Sequence, residues 1–218
     1  MTTPRKALGL LLAALLASPF ALADDGQRLA QIQQRWAEIQ YRLPSAEKPA
    51  AFEQLAGEAR AFTQAAPQSA PALIWQGIVL SSWAGAQGGL GALGALGKVK
   101  EARSDLEQAL KLDPTALQGS AYTSLAALYD RVPGWPIAFG DASEADRLLQ
   151  RALALNPSGI DTLYFWGDHL YRQQRYAEAR AALLKAQQAA PRPGRELADQ
   201  GRRGEIAALL KDVDQKLK

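Results

Sequence analysis

No cysteine occurs in the 218 residues, there is one histidine, and the sole methionine is the first residue. The missing cysteines exclude disulfides, thiolate catalysis and a lipid-modified cysteine, and with a lone histidine they exclude a metal site built from histidines and thiolates. His169 follows Asp168 in a helical segment and has no identifiable triad partner. Catalysis would have to rest on carboxylates alone, and no pair stands out by spacing. The expectation is a protein without enzymatic activity, cofactor or metal.

Charge of one sign is also in short supply. The formal net charge is +3, and two of the basic residues, Arg5 and Lys6, precede an apolar run from Ala7 to Ala17 that ends in Ala21-Leu22-Ala23. A basic start, about ten apolar residues and an Ala-x-Ala end are the three regions of a secretory signal peptide, and the run is too short for a permanent membrane span. Cleavage after Ala23 would leave 195 residues with 23 basic against 22 acidic side chains. That balance gives no electrostatic footprint for nucleic acid. The expected organisation is a signal peptide over 1–23 and a single helical domain over 24–218, periplasmic or secreted.

A third absence is local: no charged residue occurs from Ala61 through Gly97. Glutamines, serines, glycines and Pro67/Pro71 make the stretch a poor membrane helix. Either it marks a subunit interface or apolar ligand channel, or its helices are central and wrapped by neighbours. Within it, Gly89-Leu-Gly91-Ala-Leu-Gly94 satisfies the dinucleotide-binding glycine pattern but follows a helix instead of a strand, and Ala92 and Val99 break a phosphate-binding loop. Nucleotide binding is not expected.

What is present is a repeat. Ala-x3-Leu-x2-Ala-x4-Pro recurs at Ala102/Leu106/Ala109/Pro114, Ala145/Leu149/Ala152/Pro157 and Ala179/Leu183/Ala186/Pro191, with a degenerate copy at Leu55/Ala59/Phe62/Pro67. Spacings of four and three put two small residues and one large one on a single helical stripe, against which another helix can approach closely; the proline then ends the helix. The last unit adds Leu163, Trp166, Gly167 and Leu170 ahead of Ala179, placing small Gly167 and Ala179 where two helices of a hairpin should cross. The earlier units gain about thirteen residues (roughly Gly85 to Lys98) and about seven (within Val132–Gly140) between their helices. Asp141 with Glu144 three residues on has a capping-box signature. Helices are predicted near 25–42, 48–65, 70–84, 100–112, 117–131, 141–154, 160–173 and 176–189, with a last one within 195–217.

The spacing in 160–193 is similar to the tetratricopeptide repeat. That resemblance implies an all-α, right-handed solenoid of about four irregular helix hairpins with a C-terminal capping helix. It further implies binding by the concave face of the first helices: Asp161, Tyr164, Asp168, Tyr171 and Arg172 in the last unit, Thr123, Asp130 and Arg131 in the one before, and Ile74, Ile78 and Ser81 before that. A polar-aromatic stripe of this kind suits an extended peptide or an organic acid. In the Val132–Gly140 loop, Trp135 and Phe139 either plug the end of a hairpin or form a lip over the groove.

An exported chain with irregular units, a neutral insertion ahead of its Ala-Arg-x-x-Leu-x-x-Ala-Leu segment and a loop ending in Phe139-Gly-Asp141 also resembles, more loosely, the TatT-like component of tripartite ATP-independent periplasmic transporters. The leading expectation is an exported scaffold for a protein or peptide partner in the cell envelope. The alternative implied by the looser resemblance is a homo-oligomer with a pore or pocket for a small organic ligand, and an envelope hydrolase is a third reading.

Overall fold

The computed structural model describes residues 19–88 and 93–218. The signal-peptide run up to Ser18 and the Gly89–Ala92 part of the glycine-rich motif lie outside the described residues. Among the described residues there are nine α-helices, one 3-10 turn (Leu93–Ala95) and no strand. The helices are α1 (Pro19–Arg42), α2 (Lys48–Ala65), α3 (Ala70–Ala86), α4 (Leu96–Leu112), α5 (Ala116–Arg131), α6 (Ala142–Leu155), α7 (Ile160–Arg172), α8 (Tyr176–Gln187) and α9 (Glu196–Lys216). Every predicted helix is present.

The recurring stripe sits at the hairpin seams. Ala102, Leu106, Ala109, Ala145, Leu149, Ala152, Ala179, Leu183 and Ala186 are all fully buried. A Cβ on Gly167 would lie 2.7 Å from Leu183 Cδ2 and 3.5 Å from the Ala179 carbonyl oxygen, so the absent side chain is what lets α7 and α8 touch. Gly77 does the same for α3 and α4, 2.8 Å from Leu106 Cγ and 3.1 Å from the Ala102 oxygen.

Three helix starts differ from expectation, the first being α1, which begins at Pro19 instead of near residue 25. The helix predicted from residue 100 starts at Leu96, because the 3-10 turn runs straight into it and Ala95 and Val99 reach the core. The tail of the insertion is therefore helical. At the head of α5, Leu117 (φ 48°), Gln118 (φ 56°) and Gly119 (φ 78°) adopt left-handed conformations. This bend brings Gln118 Oε1 within 3.1 Å of the Asn156 Nδ2 donor and seats Leu155 against Gly119. Leu117 and Gln118 bear a strain of about 1 kcal/mol each for it.

Asp141 caps α6, its Oδ1 accepting from Ser143 N (2.9 Å) and Glu144 N (3.2 Å). The reciprocal half of a capping box is missing. Asp141 N donates to the Tyr129 oxygen (3.0 Å) and the Glu144 carboxylate pairs with Arg147 (2.6 Å), which ties the cap to the preceding helix.

The odd-numbered helices pack side by side in chain order, and each even-numbered helix covers the seam between two successive odd ones. α3 is thereby enclosed by α1, α2, α4 and α5, with Ile74, Trp75, Val79 and Leu80 buried. The α3 part of the uncharged stretch is central, and its lack of charge follows from burial.

The row then closes on itself, because α9 packs against α1 as well as against α7 and α8. Its C-terminal half, through Ile206, Leu210 and Val213, completes the apolar cluster of α7 and α8, as a cap should. Its N-terminal half contributes Ala198 to the cluster of α1–α6. A Cβ on Gly201 would meet the Tyr41 ring at 2.3 Å, so this glycine, which weakens the helix by about 1 kcal/mol relative to alanine, is required for α1 to approach.

Candidate functional site

The predicted groove residues of α7 are brought together, but with other parts of the chain already against them. Asp161 accepts from Arg192 Nη1 at Oδ2 (2.7 Å) and from Arg202 Nε at Oδ1 (2.7 Å). Burial pushes its carboxyl upward, yet the charges of Arg202 and Arg192 outweigh that and hold it well below the ordinary carboxylate range. Tyr164 lies under the Arg202 guanidinium, 4.4 Å from its ring centroid, and edge-on to Phe165 at 5.2 Å. Burial raises its phenol pKa. Arg202 Nη1 reaches Glu205 (2.5 Å), which also accepts from Tyr41 Oη (3.3 Å). The inner face of α7 is thus occupied by arginines of the C-terminal segment.

Further along α7, Asp168 is buried and accepts from Arg131 Nη2 (2.6 Å) and Arg172 Nε (3.1 Å). Tyr171 stands beside Tyr176 at 5.7 Å, and Arg172 is exposed. In the preceding units Thr123 and Ile74 are buried, Ile78 is partly buried, and Ser81 Oγ donates back to the Gly77 oxygen (2.7 Å).

Asp130 faces the lone histidine: its carboxylate lies 2.9 Å from His169 Nδ1, while Asp146 lies 3.4 Å from Nε2. The imidazole is 2% exposed and stacks on Trp166 at 5.6 Å. Burial lowers its pKa, but the hydrogen bond and charge of Asp130, aided by Asp146, raise it overall. The imidazole staples the Asp130 and Asp146 carboxylates of two other helices, and the staple is an ion pair when the ring is protonated. Among the described residues no group of histidine, aspartate and glutamate side chains could hold a metal ion.

The Val132–Gly140 loop divides its two aromatics. Phe139 stacks edge-on against Tyr129 at 5.4 Å, with the Arg103 guanidinium 4.9 Å from its ring. Trp135, in contrast, is 90% exposed and Ile137 is 61% exposed. The loop is nonetheless well defined: Gly134 O accepts from Ile137 N (3.1 Å) and Ala138 N (3.2 Å), and Gly140 N donates to the Pro133 oxygen (2.9 Å). A Cβ on Gly140 would fall 1.9 Å from the Val132 oxygen, so only glycine closes it. It lies over α4, where Pro136–Phe139 with Lys100, Arg103, Ser104 and Glu107 line a cleft of about 450 Å³. α4 is a second helix of its hairpin, so the loop borders the outer layer and not the face of α7.

Paired helices of this register, with glycine at the α3–α4 and α7–α8 crossings, resemble the tetratricopeptide repeat family, which matches residues 92–115. The chain has a tetratricopeptide-like (TPR-like) fold. The matched segment falls on α4 and its approach, one of the units interrupted by an insertion, and not on the regular 160–193 unit. The TPR-like chain superposes on the crystal structure of a thermophilic TPR protein of Thermus thermophilus with a TM-score of 0.54 at 16% identity, covering 88% of this chain and 93% of that one. At that identity the likeness is one of fold. Comparison with curated proteins returns no match.

Sequence reasoning missed Arg192, Arg202, Glu205 and Tyr41 as groove elements. Their signal was faint: a C-terminal helix with Arg202 and Glu205 one turn apart reads as a solvated face until Gly201, next to them, is seen to admit a ring.

Proposed function

We propose that this TPR-like chain is an exported scaffold that engages a protein segment in the cell envelope, and that the Pro133–Phe139 loop over α4 is its principal contact. The TPR fold supports protein interaction in general. One observation favours the loop over the stripe on α7: Trp135 is 90% exposed on a loop whose backbone is internally hydrogen-bonded. Keeping an indole in water forgoes about 2 kcal/mol of burial. The stripe offers less, since Asp161, Tyr164 and Asp168 already have their partners within the chain. A docking segment would cover Trp135 and Ile137, place an apolar side chain in the cleft against Phe139, and meet Lys100 at its rim.

The test is capture from envelope extract by the full chain and by Trp135→Ala/Ile137→Ser. Loss of a stoichiometric protein partner, with the melting temperature kept within a few degrees, is the expected outcome. Equal capture by the variant would overturn the assignment of the loop. The transporter-associated alternative predicts a homo-oligomer with a co-purifying small organic molecule, which light scattering and mass spectrometry of the purified protein would reveal. Export itself is tested by fractionation of cells producing the chain and by the mass of the mature N-terminus, expected to begin at Asp24.

A further inference from the structure

The inner face of α7 is filled by an internal ligand. Arg192 and Arg202 divide the two oxygens of Asp161 between them (2.7 Å each), and the Arg202 guanidinium lies 4.4 Å from the Tyr164 ring centroid and 4.9 Å from that of Phe165. One carboxylate and two aromatic rings thus form a receptor for arginine, and the chain occupies it with its own. Water still reaches the pair, since the side chains of Asp161 and Arg192 are 33% and 34% exposed. Arg192 N and Nε also donate to Asp199 (2.8 Å each) and Arg202 Nη1 to Glu205 (2.5 Å). Both arginines therefore keep a carboxylate of their own segment when Asp161 is given up.

The same segment is divided at a glycine. In α9 the residues before Gly204 join the cluster of α1–α6 through Leu197 and Ala198, whereas Ile206, Leu210 and Val213 after it belong to the cluster of α7 and α8. Gly204 has nothing within 4 Å of an added Cβ, so no packed neighbour fixes the backbone there, and glycine is among the weakest helix formers. The first half also carries a group that opposes closure. Arg195, in the cleft between α1 and the start of α9, has a buried Nε without a hydrogen-bond partner among the described residues, and its Cζ lies 5.0 Å from the Trp75 ring centroid. No bonded anion offsets its desolvation, and lifting the segment returns it to water. The second half is held by apolar burial, which lifting would forfeit.

We propose that the stripe on α7 is a second interaction surface, closed by the chain's own C-terminal arginines, and that it receives an arginine-bearing segment of a partner protein when residues 192–203 swing out at Gly204. The incoming guanidinium takes the place of Arg202 on Asp161, over Tyr164 and Phe165, while Ile206, Leu210 and Val213 hold the second half of α9 in place. The internal contact tunes the affinity, because a partner binds in proportion to the fraction of chains that are open. This surface is separate from the Trp135 loop and stands or falls independently of it.

The chain has no cysteine, so a disulfide can be introduced as a lock. An added Cβ on Gly201 lies 2.4 Å from Tyr41 Cγ, one bond from Tyr41 Cβ, and Tyr41→Cys/Gly201→Cys therefore brings two thiols within disulfide reach. The probe is a fluorescein-labelled synthetic copy of residues 190–204, with an Arg192→Gln/Arg202→Gln copy as its control. Under reducing conditions the full-length cysteine variant is expected to bind the probe, and oxidation to weaken binding at least about tenfold; the control copy should bind neither form. Hydrogen exchange of the wild type should show residues 192–203 opening together and ahead of 206–216. Equal probe binding in the two redox states, or equal binding of probe and control, overturns the proposal, as does uniform exchange on both sides of Gly204. If the cysteine variant fails to fold, Gly204→Ala carries the decision: the stiffer hinge should weaken probe binding by about threefold or more, and unchanged binding excludes the hinge.

Discussion

At the scale of single residues, the buried polar groups are the places where pH acts. Asp105 on α4 faces α3, where the Gln76 amide bonds to it and Gln76 Oε1 in turn accepts from Thr63 of α2. Among the described residues its buried Oδ2 has no hydrogen-bond partner. Burial pushes its pKa up to about 6, with Gln76 opposing, Glu101 adding and Arg60 opposing. Since the folded value lies above the ordinary one, the charged form is disfavoured in the native state, and stability is lost as pH rises from about 4 through 6. Asp105→Asn is expected to stabilise the protein on the order of 1 kcal/mol at about pH 8, discounting for solvent screening, and to give no gain near pH 4. Thermal melts of both proteins across that range check it; a gain of equal size at both ends would assign the effect to packing instead.

Among elements, the His169 staple is the clearest case of sequence pattern and tertiary contact working together. His169 on α7 meets Asp130 of α5 and Asp146 of α6, and Arg175 lies 3.9 Å from Asp146 and stacks toward Trp166 at 5.9 Å. The sequence shows a helical histidine; it does not show that two other helices each deliver a carboxylate. With the folded pKa above the ordinary 6.5, the staple contributes fully below that value and is lost as pH rises through the raised one. Wild type should therefore lose stability in the alkaline direction above about pH 6.5, beyond the window of Asp105, and His169→Gln should flatten that limb while lowering stability at about pH 6. Melts at closely spaced pH values decide; parallel curves for the two proteins would mean that the imidazole stays neutral.

The same scale shows why element positions were legible and their entries were not. Helix ends marked by Pro114, Pro157 and Pro191, and the cap at Asp141, act within a few residues of themselves. The left-handed start of α5 at Leu117–Gly119 is set by Leu155 and Asn156, nearly forty residues away in the chain. No local propensity for leucine or glutamine announces it.

For the whole molecule the decisive contact joins the two ends. Gly201 and Gly204 are alike in sequence terms, each a glycine inside α9, but only Gly201 has a ring against it: Tyr41 at 2.3 Å from the position of an added Cβ, against nothing within 4 Å for Gly204. Gly204→Ala should stabilise the protein by up to about 1 kcal/mol through helix propensity. Gly201→Ala should destabilise it by about 1–3 kcal/mol through overpacking. Hydrogen exchange on Gly201→Ala is expected to show α1 and α9 losing protection together. If α9 alone loosens, or both alanine variants stabilise equally, the ends are not energetically joined.

The candidate site divides along the same line. Asp161, Tyr164 and Asp168 were assigned to the inner face of α7 by the resemblance to the tetratricopeptide repeat, and in the structure they share one face of that helix. What faces them, Arg192 and Arg202, depends on how far the row of helices curves before α9 returns. Trp135 and Phe139 were identifiable as a conspicuous pair within an insertion, yet their different fates, one exposed and one packed on Tyr129, depend on where α4 lies beneath the loop.

By itself the sequence determined an all-helical repeat, the seams between paired helices and the positions of the insertions, because each rests on periodicity and on small residues a fixed number of positions apart. Only the tertiary structure decided that the row closes through Gly201 against Tyr41, that the arginines of the last segment fill the inner face of α7, and that Arg195 is left unpaired in a cleft between the first and last helices. Helical periodicity is a property of neighbours along the chain; which charges meet across a ring depends on the summed curvature of every hairpin, and no local pattern encodes that sum.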